Sequence, residues 1–244
     1  MAVSKPELYT SLSPALLHLF NLSSSTVVII DVMRATSTIA NALYNGARAI
    51  IPVDSVEECI RIGKQIDGIT AGERDGQVAE GLQFANSPFE YPRSFIENKT
   101  LVLTTTNGTK LLHMALNKSA EEIITGSFPN LSAVCDYLIQ RNGNVVLACA
   151  AWKDKINIED SLFAGAVIDR LKDHFHIPCD SSKIAHSLYL QAKNDLFDFM
   201  KRNEASHYNR LMGFGLEDDI RFCLSDDVAN VLPVYSDGKL ICHK

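Results

Sequence analysis

The run TVVII at residues 26–30 constrains the fold more than any other part of the chain. It is continuously apolar, β-branched at all five positions, and ends abruptly at Asp31. A short strand of this kind is covered on both faces, the habit of parallel sheets with helices on each side. A helical run follows from about 37 to 45, with Gly46 as its terminator. The same grammar then recurs. Strands are expected at 48–53, 69–71, 101–103, 122–125 and 144–151, and helices at 56–66, 109–117 and 131–140. Asp54 or Ser55 is placed to cap the helix at 56. Strands that alternate with helices in this way define an α/β fold with mainly parallel strands.

Two segments keep the same hydrophobic phase at an offset of 73 residues, without a gap for about 35 residues. Asp31 falls on Thr104, Arg34 on Asn107, Ala35 on Gly108 and Thr36 on Thr109. This reads as an internal duplication of a β-loop-α-β-α unit. The repeats would span about 26–98 and 99–173 of a single domain covering 1–244, with a C-terminal region at 174–244. A helix is expected at 162–173, and the C-terminal region is expected to be helical at 182–201, 203–212 and 216–224. It would close on a hairpin, 231–235 and 239–242, turning at Asp237-Gly238. The stretch 77–99, containing NSPFEYP, is the longest irregular piece, and ordered loops of that length are often functional.

Composition narrows the function classes. The chain has 244 residues, 23 basic and 29 acidic, for a formal net charge of −6. An acidic chain without a basic run is a poor nucleic-acid binder, because phosphate neutralisation needs clustered Lys and Arg. No apolar run approaches the ~20 residues of a membrane span. The first residues lack a signal-peptide core. The six cysteines lie far apart with no C-x-x-C pair. A cytoplasmic protein with reduced cysteines is the expectation.

In open α/β sheets, ligands bind at the carboxyl ends of strands beside helix N-termini. The polar residues here follow strand ends. Asp31, Arg34 and Thr36 follow the first strand, and Glu73 and Arg74 the third. Thr104, Thr105, Thr106, Asn107, Gly108 and Thr109 follow the fourth, and Ser127 the fifth. Glu159 and Asp160 lie after the sixth. Each has a plain structural alternative as a cap or turn residue. Their concurrence, two carboxylate sites with two arginines and two hydroxyl-rich helix starts, suits Mg²⁺ with a small, highly anionic ligand. No dinucleotide, P-loop or nucleophile-elbow motif is present.

At these motifs the chain resembles the 2-phosphosulfolactate phosphatase family. The matching stretches are DVMRATST from Asp31, GER from Gly72, NSP from Asn86, TTTNGT from Thr104, GSF from Gly126, Glu159-Asp160 and Ala164-Gly165. Asp219 and Pro233-Val234 also fit. Gln83, Ala85 and Ala151 depart from the family pattern, the last two standing where Gly is usual. The resemblance implies a three-layer α/β/α fold. It also implies Mg²⁺-dependent hydrolysis of 2-phospho-3-sulfolactate to 3-sulfolactate and phosphate, a step toward coenzyme M.

On that reading Asp31 binds the metal, helped by Glu159 or Asp160, and Asp31, Arg34 and Asp160 carry the chemistry. Thr36, Arg74, Thr106, Asn107, Gly108, Thr109 and Ser127 hold the anionic groups, with Glu73 as a partner of Arg74. A covalent route with Asp31 as nucleophile stays open, as do a phosphatase of other specificity, a non-catalytic anion binder and a homo-oligomer.

Overall fold

The chain enters its sheet earlier than expected, at Leu8–Ser11 (β1). LYTS is too short and mixed to carry a strand signal. It pairs in parallel with Asn144–Cys149 (β8), from Leu8 opposite Val145 to Ser11 opposite Ala148. The computed structural model describes residues 5–74 and 77–243. The expected strands are Ser25–Ile30 (β2), Ala49–Pro52 (β3), Ile69–Arg74 (β4), Thr100–Thr104 (β6) and Glu122–Gly126 (β7). Gln77–Val78 (β5) is a two-residue partner to the end of β4. The terminal hairpin is Pro233–Ser236 (β9) and Lys239–Cys242 (β10), with Asp237 and Gly238 both at positive φ as its turn demands.

The helices are Ala35–Tyr44 (α1), Val56–Ile66 (α2), Arg93–Ile96 (α3), Gly108–Asn117 (α4) and Leu131–Arg141 (α5). Ile158–Leu171 (α6), Asp180–Ala192 (α7), Leu196–Arg202 (α8), Ser206–Gly213 (α9) and Glu217–Cys223 (α10) follow. Ser55 caps α2 by accepting from Glu58 N–H at 3.1 Å. The single long helix expected at 182–201 is instead two, α7 and α8. Asp195 turns extended and its carboxylate accepts from Asp198 N–H at 2.8 Å, so a fresh N-cap outcompetes continuation of the helix.

Ten strands form one mainly parallel sheet among the described residues, in the order β1-β8-β2-β7-β9-β10-β3-β6-β4-β5. β2 lies between β8 and β7, parallel to both, and all six of its residues are buried. Alternation divides them between two cores. Val28 and Ile30 pack with α5, α6 and α7, through Val134, Leu138, Phe163, Val167 and Ala185. Val27 and Ile29 pack on α4, through Leu111, Leu112 and Ala115. On β6, Leu101 and Leu103 meet Ile39 and Leu43 of α1, while Val102 meets Cys59 of α2. Helices therefore cover both faces, as three α/β/α layers require.

The 73-residue offset carries α1 onto α4 residue for residue. The two segments also interlock. β2 of the first is clasped by β7 and β8 of the second, and β6 of the second by β3 and β4 of the first. The β9–β10 hairpin joins these two parallel blocks through one residue pair on each side, Ile124 with Val234 and Leu240 with Ile50. Three successive antiparallel pairings make the blocks run in opposite directions. The loops after β2 and β6 are thus not neighbours along one edge of a single parallel set. They meet because α1 and α4 cross between the blocks in opposite senses and start side by side.

Candidate active site

The meeting of the two helix starts is tight. A Cβ on Gly108 would lie 2.9 Å from Asp31 Oδ2 and 3.4 Å from Ala35 Cβ. Only glycine lets the two loops approach this closely. Each loop is closed by a threonine hydroxyl. Asp31 N–H donates to Thr36 Oγ1 at 3.2 Å, and Asp31 C=O accepts from Thr36 N–H at 3.0 Å. In the other loop, Thr105 N–H donates to Thr109 Oγ1 and Thr109 N–H to Thr105 Oγ1, both at 3.2 Å. Thr36 and Thr109 shape their turns, with hydroxyls already engaged.

A small polar cavity opens in front of these loops. Asp31, Met33, Arg34, Thr105 and Asn107 line it from the helix starts. Glu73 and Asn86 line it from the end of β4 and the NSP loop, and His207, Arg210 and Leu211 from α9. Burial pushes the Asp31 carboxyl up to about 6, reinforced by the Glu73 and Glu159 carboxylates nearby. The Asn86 carbonyl oxygen Oδ1 is buried and has no hydrogen-bond partner.

Behind the cavity lie two buried carboxylates. Asp160 accepts from Val32 N–H and from Ala151 N–H, each at 3.0 Å. It therefore ties the loop after β2 to the loop after β8. Burial, then the charges of Glu159 and Asp31, holds its carboxyl well above the usual range. Ala151 takes φ 57, the left-handed region that favours glycine, at a position where the family pattern has Gly. Glu159 pairs with His207 Nδ1 at 2.5 Å, and Arg210 donates to His207 Nε2 at 2.9 Å. A guanidinium only donates, so Nε2 accepts and Nδ1 carries the proton given to Glu159.

Arg34 is 96% buried, and its guanidinium pairs with Asp219 of α10, whose other oxygen accepts from Ser87 Oγ at 3.0 Å. Asp219 thus fastens α10 to the start of α1 and to the NSP loop.

The structure gathers Asp31, Arg34 and Asn107 in the cavity wall, with Gly108 against Asp31 and Glu159 and Asp160 buried behind. It places three other residues differently from the sequence reading. Arg74 does not line the cavity: its guanidinium donates to Glu73 C=O at 2.7 Å and to Thr104 Oγ1 at 3.3 Å, while Glu73 faces the opening. Ser127 is fully buried, and its N–H and hydroxyl both donate to Asn130 Oδ1, at 2.9 and 3.3 Å. Thr106 is exposed and donates to Glu73 Oε1 at 3.0 Å. Asn86 was part of the resemblance but was given no role, and His207 and Arg210 were not foreseen. The i, i+3 spacing of His207 and Arg210 on one helix face was the available signal.

Among the described residues, no three His, Cys, Asp or Glu side chains form a ready metal cage. The donors instead suit a hard divalent cation that keeps waters and takes one or two carboxylates. Asp31 and Glu73 offer carboxylates, Asn86 an unpartnered carbonyl oxygen, and Glu159 the oxygen not used by His207.

A family model for 2-phosphosulpholactate phosphatase matches residues 11–238. A protein named as a probable 2-phosphosulfolactate phosphatase from Caldanaerobacter subterraneus subsp. tengcongensis is 41% identical over 222 residues, 89% of this chain and 90% of the relative. One so named from Thermotoga maritima is 40% identical over 219 residues, 88% and 91% of the two chains. Another, from Clostridium acetobutylicum, is 35% identical over 222 residues, 89% and 92%. The class is that of the phosphoric monoester hydrolases, since these relatives are named as phosphatases. More narrowly, the chain belongs to the 2-phosphosulfolactate phosphatase family.

Proposed function

We propose that the chain hydrolyses 2-phospho-3-sulfolactate, or a similar 2-phospho-hydroxyacid, to the hydroxyacid and phosphate, with Mg²⁺ as its cofactor. The observation that carries this reading is Asp31: a half-buried carboxyl at the junction of two helix N-termini, pushed up to about 6. Phosphoryl transfer needs positioning and charge neutralisation more than covalent help. Mg²⁺, when bound, would polarise the phosphoryl group and neutralise charge developing on it. Asp31 and Glu159 would hold it, with Glu73 and Asn86 at the same opening. Asp160 acts as the strut that keeps Val32 and Ala151 in place, rather than as a ligand.

The N-termini of α1 and α4 direct partial positive charge into the cavity, where the phosphoryl oxygens would sit. Asn107 stands at the second of these starts. In the net reaction a P–O bond forms to water, the bond from phosphorus to the C2 oxygen breaks, and that oxygen takes up a proton.

Phosphate release from 2-phospho-3-sulfolactate, dependent on Mg²⁺ and abolished by EDTA, is the expected result. Asp31→Asn should lower turnover by at least a thousandfold while leaving the fold intact by circular dichroism. Near-normal hydrolysis by that variant, or no release by the wild type, would overturn the reading. The stereochemical course at a chiral phosphorus separates direct attack, a single displacement that inverts configuration, from a phospho-aspartate route, whose two displacements retain it.

A further inference from the structure

Arg34 and Arg74 were the expected holders of the substrate's charge, and the structure adds Arg210 and separates the three. Arg34 is spent on Asp219, inside the protein and with its charge compensated. Arg74 lies outside the cavity wall, bonded to Glu73 C=O and Thr104 Oγ1. Arg210 is the third. It lines the cavity, and among the described residues it has no carboxylate partner. Its Nε is a buried donor without an acceptor. An unpaired guanidinium with an orphaned donor in a cavity is a costly arrangement unless an anion completes it.

The side chain is also held in place before any ligand arrives. Its Cζ lies 4.8 Å from the Trp152 ring centroid, a cation–π contact, and its Nη2 donates to His207 Nε2 at 2.9 Å. His207 is in turn fixed by Glu159 at 2.5 Å. A guanidinium fork immobilised in this way loses little entropy when it binds a carboxylate or sulfonate. It belongs to α9, whereas the helix starts that suit the phosphoryl group belong to α1 and α4.

We propose that Arg210 is the specificity-determining residue of this site: it binds the non-reacting oxyanion of the substrate, carboxylate or sulfonate, while the phosphoryl group is held at the helix starts. The identity of the reacting group rests on the phosphatase reading above. The oxyanion contact does not, and it is testable without turnover.

Trp152 is the only tryptophan of the chain and touches Arg210 directly. Its fluorescence therefore reports an anion arriving at that guanidinium. The wild-type protein is titrated with 3-sulfolactate and, separately, with lactate, both free of phosphate. A saturable change is expected, and the ratio of the two affinities tells sulfonate from carboxylate. Arg210→Gln should weaken the better ligand by roughly 10- to 100-fold, the range of a lost charge-assisted pair. Arg210→Lys, which keeps charge but loses the fork, should fall between. Thermal melting verifies that both variants fold. In turnover, Arg210→Gln should cost 2-phospho-3-sulfolactate at least tenfold more in kcat/KM than 2-phospholactate if the sulfonate is the group bound.

Affinity of Arg210→Gln for 3-sulfolactate within twofold of wild type would overturn the proposal, as would an absence of saturable binding by the wild type. Failure of the wild type to release phosphate sinks the phosphatase reading alone, because the fluorescence titration still decides the role of Arg210.

Discussion

Asp31 is where chemistry and stability pull against each other. Its carboxyl is pushed up to about 6 by burial, so the folded chain holds this proton more tightly than the unfolded chain does. Stability is greatest below the ordinary carboxylate range, falls as pH rises through about 6, and stays lower above it. Asp31→Asn removes that cost. In EDTA at pH 8 the variant should be more stable than wild type, by on the order of 2 kcal/mol, and the gap should close toward pH 4. Mg²⁺ should then raise the wild-type melting temperature at pH 8 and leave Asp31→Asn unmoved. Thermal unfolding across pH with and without Mg²⁺ measures both effects; a variant less stable than wild type at pH 8 would refute the argument. Asp31 was legible in the sequence because it ends an apolar strand. Arg210 was not, because what marks it is a partnership with Trp152 and with the Glu159–His207 pair, and Glu159 lies 48 residues from His207.

At the scale of elements, hydrophobic period and cap chemistry located most of the helices, but not α3 or the break between α7 and α8. The bounds of α2 follow from Ser55 and from Asp67 in the left-handed region, both local signals. β1 was invisible because its evidence is its pairing with β8. The loops after β2 and β6 were read as two hydroxyl-rich anion cradles, but their hydroxyls close the turns, and the contact between the loops depends on crossing helices that no local pattern reveals. Gly108 isolates that contact. Gly108→Ala gains up to about 1 kcal/mol of helix propensity in the first turn of α4. It also puts a methyl group 2.9 Å from Asp31 Oδ2, which must move. Stability should therefore change by less than about 1 kcal/mol while kcat/KM falls at least tenfold, because small displacements of reacting groups are expensive. Chemical denaturation beside steady-state kinetics checks the pair; an unaffected kcat/KM would show that the loops do not need their present spacing.

For the whole molecule, the net charge of −6 lends no support to binding a long polyanion and says little about a small one. Asp31, Glu73 and Glu159 concentrate negative charge at one place, and only local cations make that place hospitable to an anion. The C-terminal helices supply Arg210 and also have to be fastened over the site. The buried Arg34–Asp219 pair, with Ser87 on the second carboxylate oxygen, joins α10 to α1 and the NSP loop across 185 residues of sequence. Removing one partner leaves a bare charge in the interior. Asp219→Leu should cost about 3–5 kcal/mol of stability and expose residues 193–230 to limited proteolysis. Replacing both partners with apolar groups, Arg34→Met with Asp219→Leu, should recover most of that stability, since a buried ion pair contributes little net free energy over a well-packed apolar substitute. Activity should not return with it, because Arg34 also lines the cavity. Additive losses in the double variant would mean that the two residues act separately, and the C-terminal helices would then have to be held by their apolar contacts alone.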